Sequence, residues 1–299
     1  MHVKKVWQQV DGVLLLDKDC GMTSNAALQK ARRVFSAAKG GHTGTLDPLA
    51  SGLLPLCFGE ATKFSADLLD ADKTYLATLQ LGVATDSGDA DGQVIARCPV
   101  TVTAAELSAA LPRFRGDILQ IPPMHSALKR DGRPLYELAR QGIEVERAPR
   151  PVTIRALDVL AYSGNTLELR VRCSKGTYIR SLAIDLGAVL GCGAHLTALR
   201  RSTVGALDLA AAVTLAQLEA LPEDARVGRL LPVGALLRSL PRQDLEGADA
   251  DRFSHGNPVA AAPGQAGKVR VYAAERLIGV GERGADGRLW PKRLVQLAA

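Results

Sequence analysis

The sequence predicts an α+β fold, a mixed α/β body followed by a small β-rich unit, and three observations carry that reading. Helical and alternating apolar patterns occur in mixed order, without the regular alternation that a doubly wound parallel sheet requires. A break falls at 239–251, where Pro241 is followed by Asp244, Glu246, Asp249 and Asp251. Beyond it the texture changes to short β-like pieces at 268–272, 277–282 and 289–295, separated by Gly, Pro and Asp, as in a small barrel or sandwich. A chain of 299 residues suits one main domain with such an addition.

Taken in order, Ser24–Phe35 sets Ala27, Leu28, Ala31, Val34 and Phe35 on one helical face, and Gly40-Gly41 predicts a stop and a loop. Residues 74–81 alternate, with Tyr75, Ala77, Leu79 and Leu81 on one side of a strand. Thr103 with Glu106 and Thr214 with Gln217 each read as a capping box that opens a helix. Thr166–Cys173 alternates more cleanly, with Leu167, Leu169, Val171 and Cys173 inward and charged residues outward. Residues 181–190 repeat Leu182, Leu186, Val189 and Leu190 at helical spacing.

Composition removes several classes. Apolar residues make up 47% and charged residues 23%, which argues against disorder. No uncharged stretch reaches the ~18 residues of a membrane span. The apolar run 12–16, flanked by Asp11 and Asp17, is too short for a signal peptide. Five dispersed cysteines without a CxxC pair favour reduced thiols and a cytoplasmic location over disulfides or a zinc site. The net charge is +6, and its distribution says more than its size. Basic residues dominate between Arg113 and Arg155, and again from Lys268 through Arg293, while 60–91 is acidic. Two basic segments suit a polyanion held at two places, although two solvated surfaces explain charge alone equally well.

The densest motif is Gly40-Gly41-His42-Thr43-Gly44-Thr45-Leu46-Asp47-Pro48, continuing to Gly52. Its glycines permit a tight path, and Pro48 pushes Asp47 out of the α region. Such a loop presents one carboxylate in a fixed orientation, flanked by the hydroxyls of Thr43, Thr45 and Ser51. Without the Gly-Lys-Ser/Thr of a phosphate loop, a turn whose Asp caps the backbone is the competing reading. Residues 86–92 (Asp-Ser-Gly-Asp-Ala-Asp-Gly) resemble the start of a calcium loop, but Cys98 falls where the bidentate Glu belongs, so they read as a surface turn. The five histidines have no metal-ligand spacing. Arg180 lies where a strand gives way to a helix, beside the positive pole of the helix dipole; either it is exposed or a carboxylate meets it there. Tyr75 shares the apolar face of its strand and defaults to the core.

Together, Gly12-Val13-Leu14-Leu15-Leu16-Asp17-Lys18, the His42-Thr43-Gly44-Thr45-Leu46-Asp47-Pro48 signature, Lys73-Thr74-Tyr75 and Ser174 through Leu182 resemble the bacterial tRNA pseudouridine-55 synthases of the TruB family. The tail, with Gly256-Asn257-Pro258-Val259 and Gly279-Val280-Gly281-Glu282, is more loosely similar to their PUA-like RNA-binding domain. One departure is His125 in Pro123-Met124-His125-Ser126, where members often carry Tyr. The resemblance implies a pseudouridine-synthase fold with a mixed, largely antiparallel sheet. It implies a catalytic domain over 1–240, with an RNA-clamping insertion at about 116–150, and a PUA-like domain over 241–299. It also implies that Asp47 is the single catalytic aspartate and that Arg180 pairs with it. Tyr75 is expected to pack against the target base and to be available as a proton relay. His42 is expected to fill the space left by the flipped nucleotide, and Tyr178 and Leu199 to line the base pocket.

The implied substrate is the T stem-loop of tRNA, met by a monomer without cofactor, metal, guide RNA or protein partner. Related archaeal and eukaryotic enzymes use a guide RNA, and the compact tail here favours the stand-alone form. A non-catalytic RNA binder that has kept the fold is the alternative of a different class. Breaking the N1–C1′ bond builds positive character at C1′, which a carboxylate stabilises. Attack by Asp47 at C1′ and removal of a C2′ proton are both compatible with the residues.

Overall fold

The computed structural model describes residues 6–126, 128–130 and 132–296. Its body is built on one large mixed sheet. From one edge the strands run Leu230–Leu231, Gly12–Lys18, Ala50–Phe58, Ala194–Val204, Lys73–Leu81, Thr166–Cys173, Arg150–Ser163 and Gly116–Gln120. Among these neighbours only Ala50–Phe58 and Ala194–Val204 are parallel; every other pairing is antiparallel. The mixed, largely antiparallel sheet implied by the family resemblance is therefore present.

The periodicities explain which segments took which form. Thr166–Cys173 buries every second residue, as one face of a half-covered strand must, whereas Gly12–Lys18 is buried almost throughout because both of its faces are covered. Helix Ser24–Phe35 opens on Thr23, whose side chain accepts from the Ala26 amide, and it buries Ala27, Leu28, Ala31 and Phe35. Both capping boxes form, at Ala104–Ala110 and Leu215–Ala220. The helix expected at 181–190 begins two residues earlier, at Ile179, which places Arg180 inside its first turn. Gly40-Gly41 is not only loop: Gly40–His42 is a short strand paired with Phe58, Cys57 and Leu56.

The C-terminal unit is a five-stranded sheet in the order Arg242–Leu245, Gly267–Ala273, Arg276–Arg283, Arg288–Leu294 and Val259–Ala260, with helix Gly247–Ser254 against it. The acidic break at 239–251 thus supplies a strand and a helix of this unit. Phe253, Val269, Val271, Ile278 and Leu289 form its own core. A second apolar cluster runs across into the body, joining Val13, Leu53 and Phe64 to Leu277, Val280 and Val295. Lys268 and Arg293 face Asp67 of the body at 3.6 and 3.8 Å. No described helix is long and apolar enough to cross a membrane.

Because the two units share that cluster, a chain ending at residue 240 should melt several degrees below the full chain. Each buried aliphatic side chain lost stabilises by about 1.5–3 kcal/mol. Scanning calorimetry of both chains tests this; identical melting temperatures would show that the shared cluster contributes nothing.

Candidate active site

The Gly-rich segment is held at both ends. The Thr43 amide donates to the Pro55 carbonyl at 3.2 Å, and the Ala50 amide closes back on the Asp47 carbonyl at 3.0 Å. Between them, buried Ser24 at the start of its helix accepts from the Leu46 amide at 2.8 Å and donates to the Leu46 carbonyl at 2.9 Å. The residue immediately before Asp47 is thereby clamped. Gly52 sits at φ +99°, and a Cβ there would lie 2.4 Å from the Arg201 carbonyl oxygen, so only glycine lets the two parallel strands approach beside the loop.

Asp47 projects from this loop with its side chain 40% exposed onto a cavity of about 780 Å³. The cavity is lined by Thr23, His42, Thr45, Leu46, Asp47, Asp89, His125, Tyr136, Arg140 and Arg180, among others. Arg180 is only 4% exposed, and its Nη2 meets Asp47 Oδ2 at 2.8 Å. The guanidinium is not spent on Asp47 alone. Its Nε lies 3.5 Å from Asp89 Oδ2, Nη2 also donates to the His125 carbonyl at 2.6 Å, and Nη1 to the Ser87 carbonyl at 3.4 Å. One buried cation therefore serves two carboxylates and two carbonyls, and the exposed arginine is ruled out.

The loop 86–92 is not the solvated surface turn that its sequence suggests. Some of its carboxylates do cap backbone: Asp86 accepts from the Gln93 amide and Asp89 from the Asp91 amide. Yet Asp89 is 5% exposed and faces Arg180 instead of solvent. Gly88, at φ +75°, makes this possible, since a Cβ there would lie 2.6 Å from Ile184 on the helix that carries Arg180. Sequence reasoning missed Asp89; the signal was a glycine between carboxylates in an acidic stretch. It also missed Lys18, fully buried, whose Nζ donates to the Asp19 and Met22 carbonyls at 2.8 Å and fixes the turn leading to Ser24.

Burial pushes the Asp47 carboxyl above the usual carboxylate range, against the charge and hydrogen bond of Arg180, while Asp89 pushes it further up and Lys18 draws it down. His42 is held below the usual imidazole range, first by burial and then by the Arg201 charge, so the ring is neutral at pH 7; its Nδ1 is buried without a partner. Thr43 Oγ1 is likewise buried and unpartnered, and Ser51 turns to Arg200, leaving Thr45 as the one of the three hydroxyl residues on the cavity wall.

The other expected residues lie around this centre. Tyr75 is buried in the main core, and burial raises its phenol above the usual range. Tyr178 precedes helix Ile179–Val189, with its backbone N–H and carbonyl held by the side chain of buried Gln120 at 3.1 and 3.3 Å. Leu199 is packed in the main core with Tyr75 and Leu46, in register with Ala50 and Ala77, and borders a separate 280 Å³ depression with Cys20 and Arg200. Asp47, Arg180 and His42 thus share one cavity, while Tyr75, Tyr178 and Leu199 are not part of its open wall. Among the described residues no group of three or more His, Cys, Asp or Glu is arranged to hold a metal.

The architecture is thus a large mixed sheet carrying a loop-borne aspartate against a buried arginine, with a small β-rich unit at the C-terminal end. Solved chains with the same architecture include that of an H/ACA RNP bound to a substrate RNA containing 2′-deoxyuridine (TM-score 0.74, 23% identity, 96% of this chain and 85% of that one). Another lies in a Cbf5–Nop10–Gar1 complex (TM-score 0.72, 27% identity, 91% and 78%). Family models for the TruB family pseudouridylate synthase N-terminal domain match residues 32–179, and the tRNA pseudouridylate synthase B C-terminal domain matches 180–240. The pseudouridine synthase II TruB C-terminal model matches 241–295. The chain is 71% identical to tRNA pseudouridine synthase B of Dechloromonas aromatica (strain RCB), with 100% of each covered. It is 60% identical to the protein of the same name from Aromatoleum aromaticum, covering 97% and 94%. The chain belongs to the TruB family of pseudouridylate synthases.

Because Asp89 raises the Asp47 pKa, Asp89→Asn should move the Asp47 titration to lower pH, and Arg180→Gln should move it to higher pH. Carboxyl ¹³C NMR of labelled protein checks both signs; a midpoint unmoved in both variants would remove the electrostatic coupling.

Proposed function

We propose that the chain isomerises uridine 55 in the T loop of tRNA to pseudouridine, as a monomer that needs neither guide RNA nor cofactor. The observation that carries this reading is the 2.8 Å contact of Asp47 and Arg180 at the edge of a 780 Å³ cavity. The cavity has room for a nucleotide, and the names of its full-length relatives point to tRNA.

Asp47 faces C1′ of the extruded uridine and, ionised, stabilises the positive character that grows there as the N1–C1′ bond breaks. The freed base turns over and joins through C5, so no water has to be activated. Arg180 offsets the burial that would otherwise protonate Asp47. Extrusion of the nucleotide costs about a few kcal/mol, and packing of the base against Tyr75, buried until the pocket opens around the nucleotide, returns roughly 1–3 kcal/mol. Tyr178 and Leu199, which lie off the open wall, border the base once the bound nucleotide opens the pocket toward them, and His42, neutral and lining the cavity, takes the space that the nucleotide vacates. Residues 1–240 are the catalytic unit, 116–150 clamp the RNA, and 241–299 form a PUA-like contact to it. Lys129, Arg130, Arg147 and Arg150 line a depression of 450 Å³ in the clamp, and Arg140 reaches the cavity itself.

Asp47→Ala should abolish pseudouridine formation on a T stem-loop RNA while changing its Kd less than about threefold, because phosphate contacts dominate affinity. Retained product would remove Asp47 from the chemistry, and product absent from wild type as well would leave an RNA binder. Affinity should fall steeply as salt rises, by about 0.9 log unit per log unit of salt for each phosphate contacted on a duplex. A flat dependence would detach the basic segments from the RNA.

A further inference from the structure

Among the described residues the largest fully buried side chain belongs to a residue the chemistry above does not use. Arg201 is 1% exposed, and among the described residues no carboxylate pairs with it. Burying a guanidinium without a counter-ion is costly, so its hydrogen bonds must be numerous and well directed. Its Nε donates to the Leu53 carbonyl at 2.8 Å and its Nη2 to the Gly44 carbonyl at 3.2 Å. Those carbonyls stand on either side of Asp47, three residues before it and six after it. Arg201 therefore ties both arms of the loop to one planar group.

The same residue lies directly opposite Tyr75 in the register between Ala194–Val204 and Lys73–Leu81. Directly opposed residues on antiparallel strands have Cβ atoms roughly 4.5–5.5 Å apart, and both side chains here are turned into the core. Its backbone adds a third tie, since it approaches Gly52 so closely that no side chain fits there.

We propose that Arg201 is a positioning residue that sets Tyr75 and the Asp47 loop at a fixed distance from one another. The proposal rests on the reading of Asp47 and Tyr75 given above and adds the element that makes them one unit. A second consequence follows from its charge. The hydrogen bond and positive charge that Arg201 offers the phenol oppose burial there, and the same charge helps to keep His42 neutral. Lysine cannot replace it, because one ammonium cannot span two carbonyls and a phenol with a planar fork.

Two measurements test this, one of which does not depend on catalysis. In protein labelled with 3-fluorotyrosine, one of the five tyrosine ¹⁹F resonances is assigned to Tyr75 by its loss in Tyr75→Phe. That resonance should shift in Arg201→Lys and in Arg201→Gln while those of Tyr136, Tyr162 and Tyr272 stay in place; an unmoved Tyr75 signal would overturn the proposal. In single-turnover assays on T stem-loop RNA, Arg201→Lys should slow product formation about tenfold or more with Kd changed less than about threefold. The double variant Arg201→Lys/Tyr75→Phe should be no more than about threefold slower than Tyr75→Phe alone, since residues acting as a unit are not additive. Multiplying effects, or a wild-type rate in Arg201→Lys, would overturn it. Failure of both Arg201 variants to fold would also overturn it, by making Arg201 a folding residue. If wild type forms no pseudouridine, the proposed function falls, and the ¹⁹F shift still decides the Arg201–Tyr75 link.

Discussion

The site depends on an imbalance of charge: two carboxylates, Asp47 and Asp89, share one buried guanidinium. A one-to-one pair would close the fork of Arg180 on a single acid, and here Lys18 adds only a weaker attraction to Asp47. Here the contacts are unequal, 2.8 Å to Asp47 and 3.5 Å to Asp89, and the remaining donor capacity goes to backbone carbonyls. Asp47 is thus oriented by a cation that does not fully neutralise its surroundings, and its carboxyl sits above the ordinary range while still facing the cavity. A free acid would be mobile and a tightly paired one would hold its electrons. The shared arrangement avoids both.

That imbalance holds only because the backbone around it cannot relax. Arg180 enters the site from the first turn of a helix, where a positive side chain meets the positive pole of the dipole. The energy lost there is offset by the carboxylates brought from two other parts of the chain. Asp47 arrives on a loop pinned by Ser24, and Asp89 arrives because Gly88 lets its turn lie against the Arg180 helix. The loop then runs into the strand that forms the single parallel pairing of the large sheet, at the point where Gly52 meets Arg201. Parallel pairing directs the ends of both strands to the same side, so the loop and the Tyr75-facing residue of the neighbouring strand are set together.

Much of the fold was legible because burial on one face writes itself into a period. Thr166–Cys173, Ser24–Phe35 and both capping boxes follow directly from side-chain spacing. The site was less legible, for reasons that differ by residue. Asp47 on a Gly-rich turn looks like any capping aspartate until its partner, 133 residues away, is placed beside it. Asp89 was read as surface because alternating Asp and Gly usually mark a solvated turn; what hid it was the glycine contact with a distant helix, which has no local signature. Arg201 was invisible for the opposite reason. In the pair Arg200-Arg201 one side chain reaches Asp17 and the other is buried, and only strand register separates them.

The distribution of basic residues takes on a different meaning once the fold is in place. From sequence, the segments at 113–155 and beyond Lys268 look equivalent. In the structure they are not. Lys268 and Arg293 face Asp67 across the boundary with the body, and Lys292 pairs with Glu282 within its own sheet. Two of the tail's basic residues thus help to dock the C-terminal unit, alongside the shared cluster of Leu277, Val280 and Val295. The earlier segment instead sets Arg140 on the cavity wall and Lys129 and Arg150 around the adjoining depression. The cavity is accordingly polarised, with the carboxylates of Asp47 and Asp89 against Arg180 and the guanidinium of Arg140 on its wall.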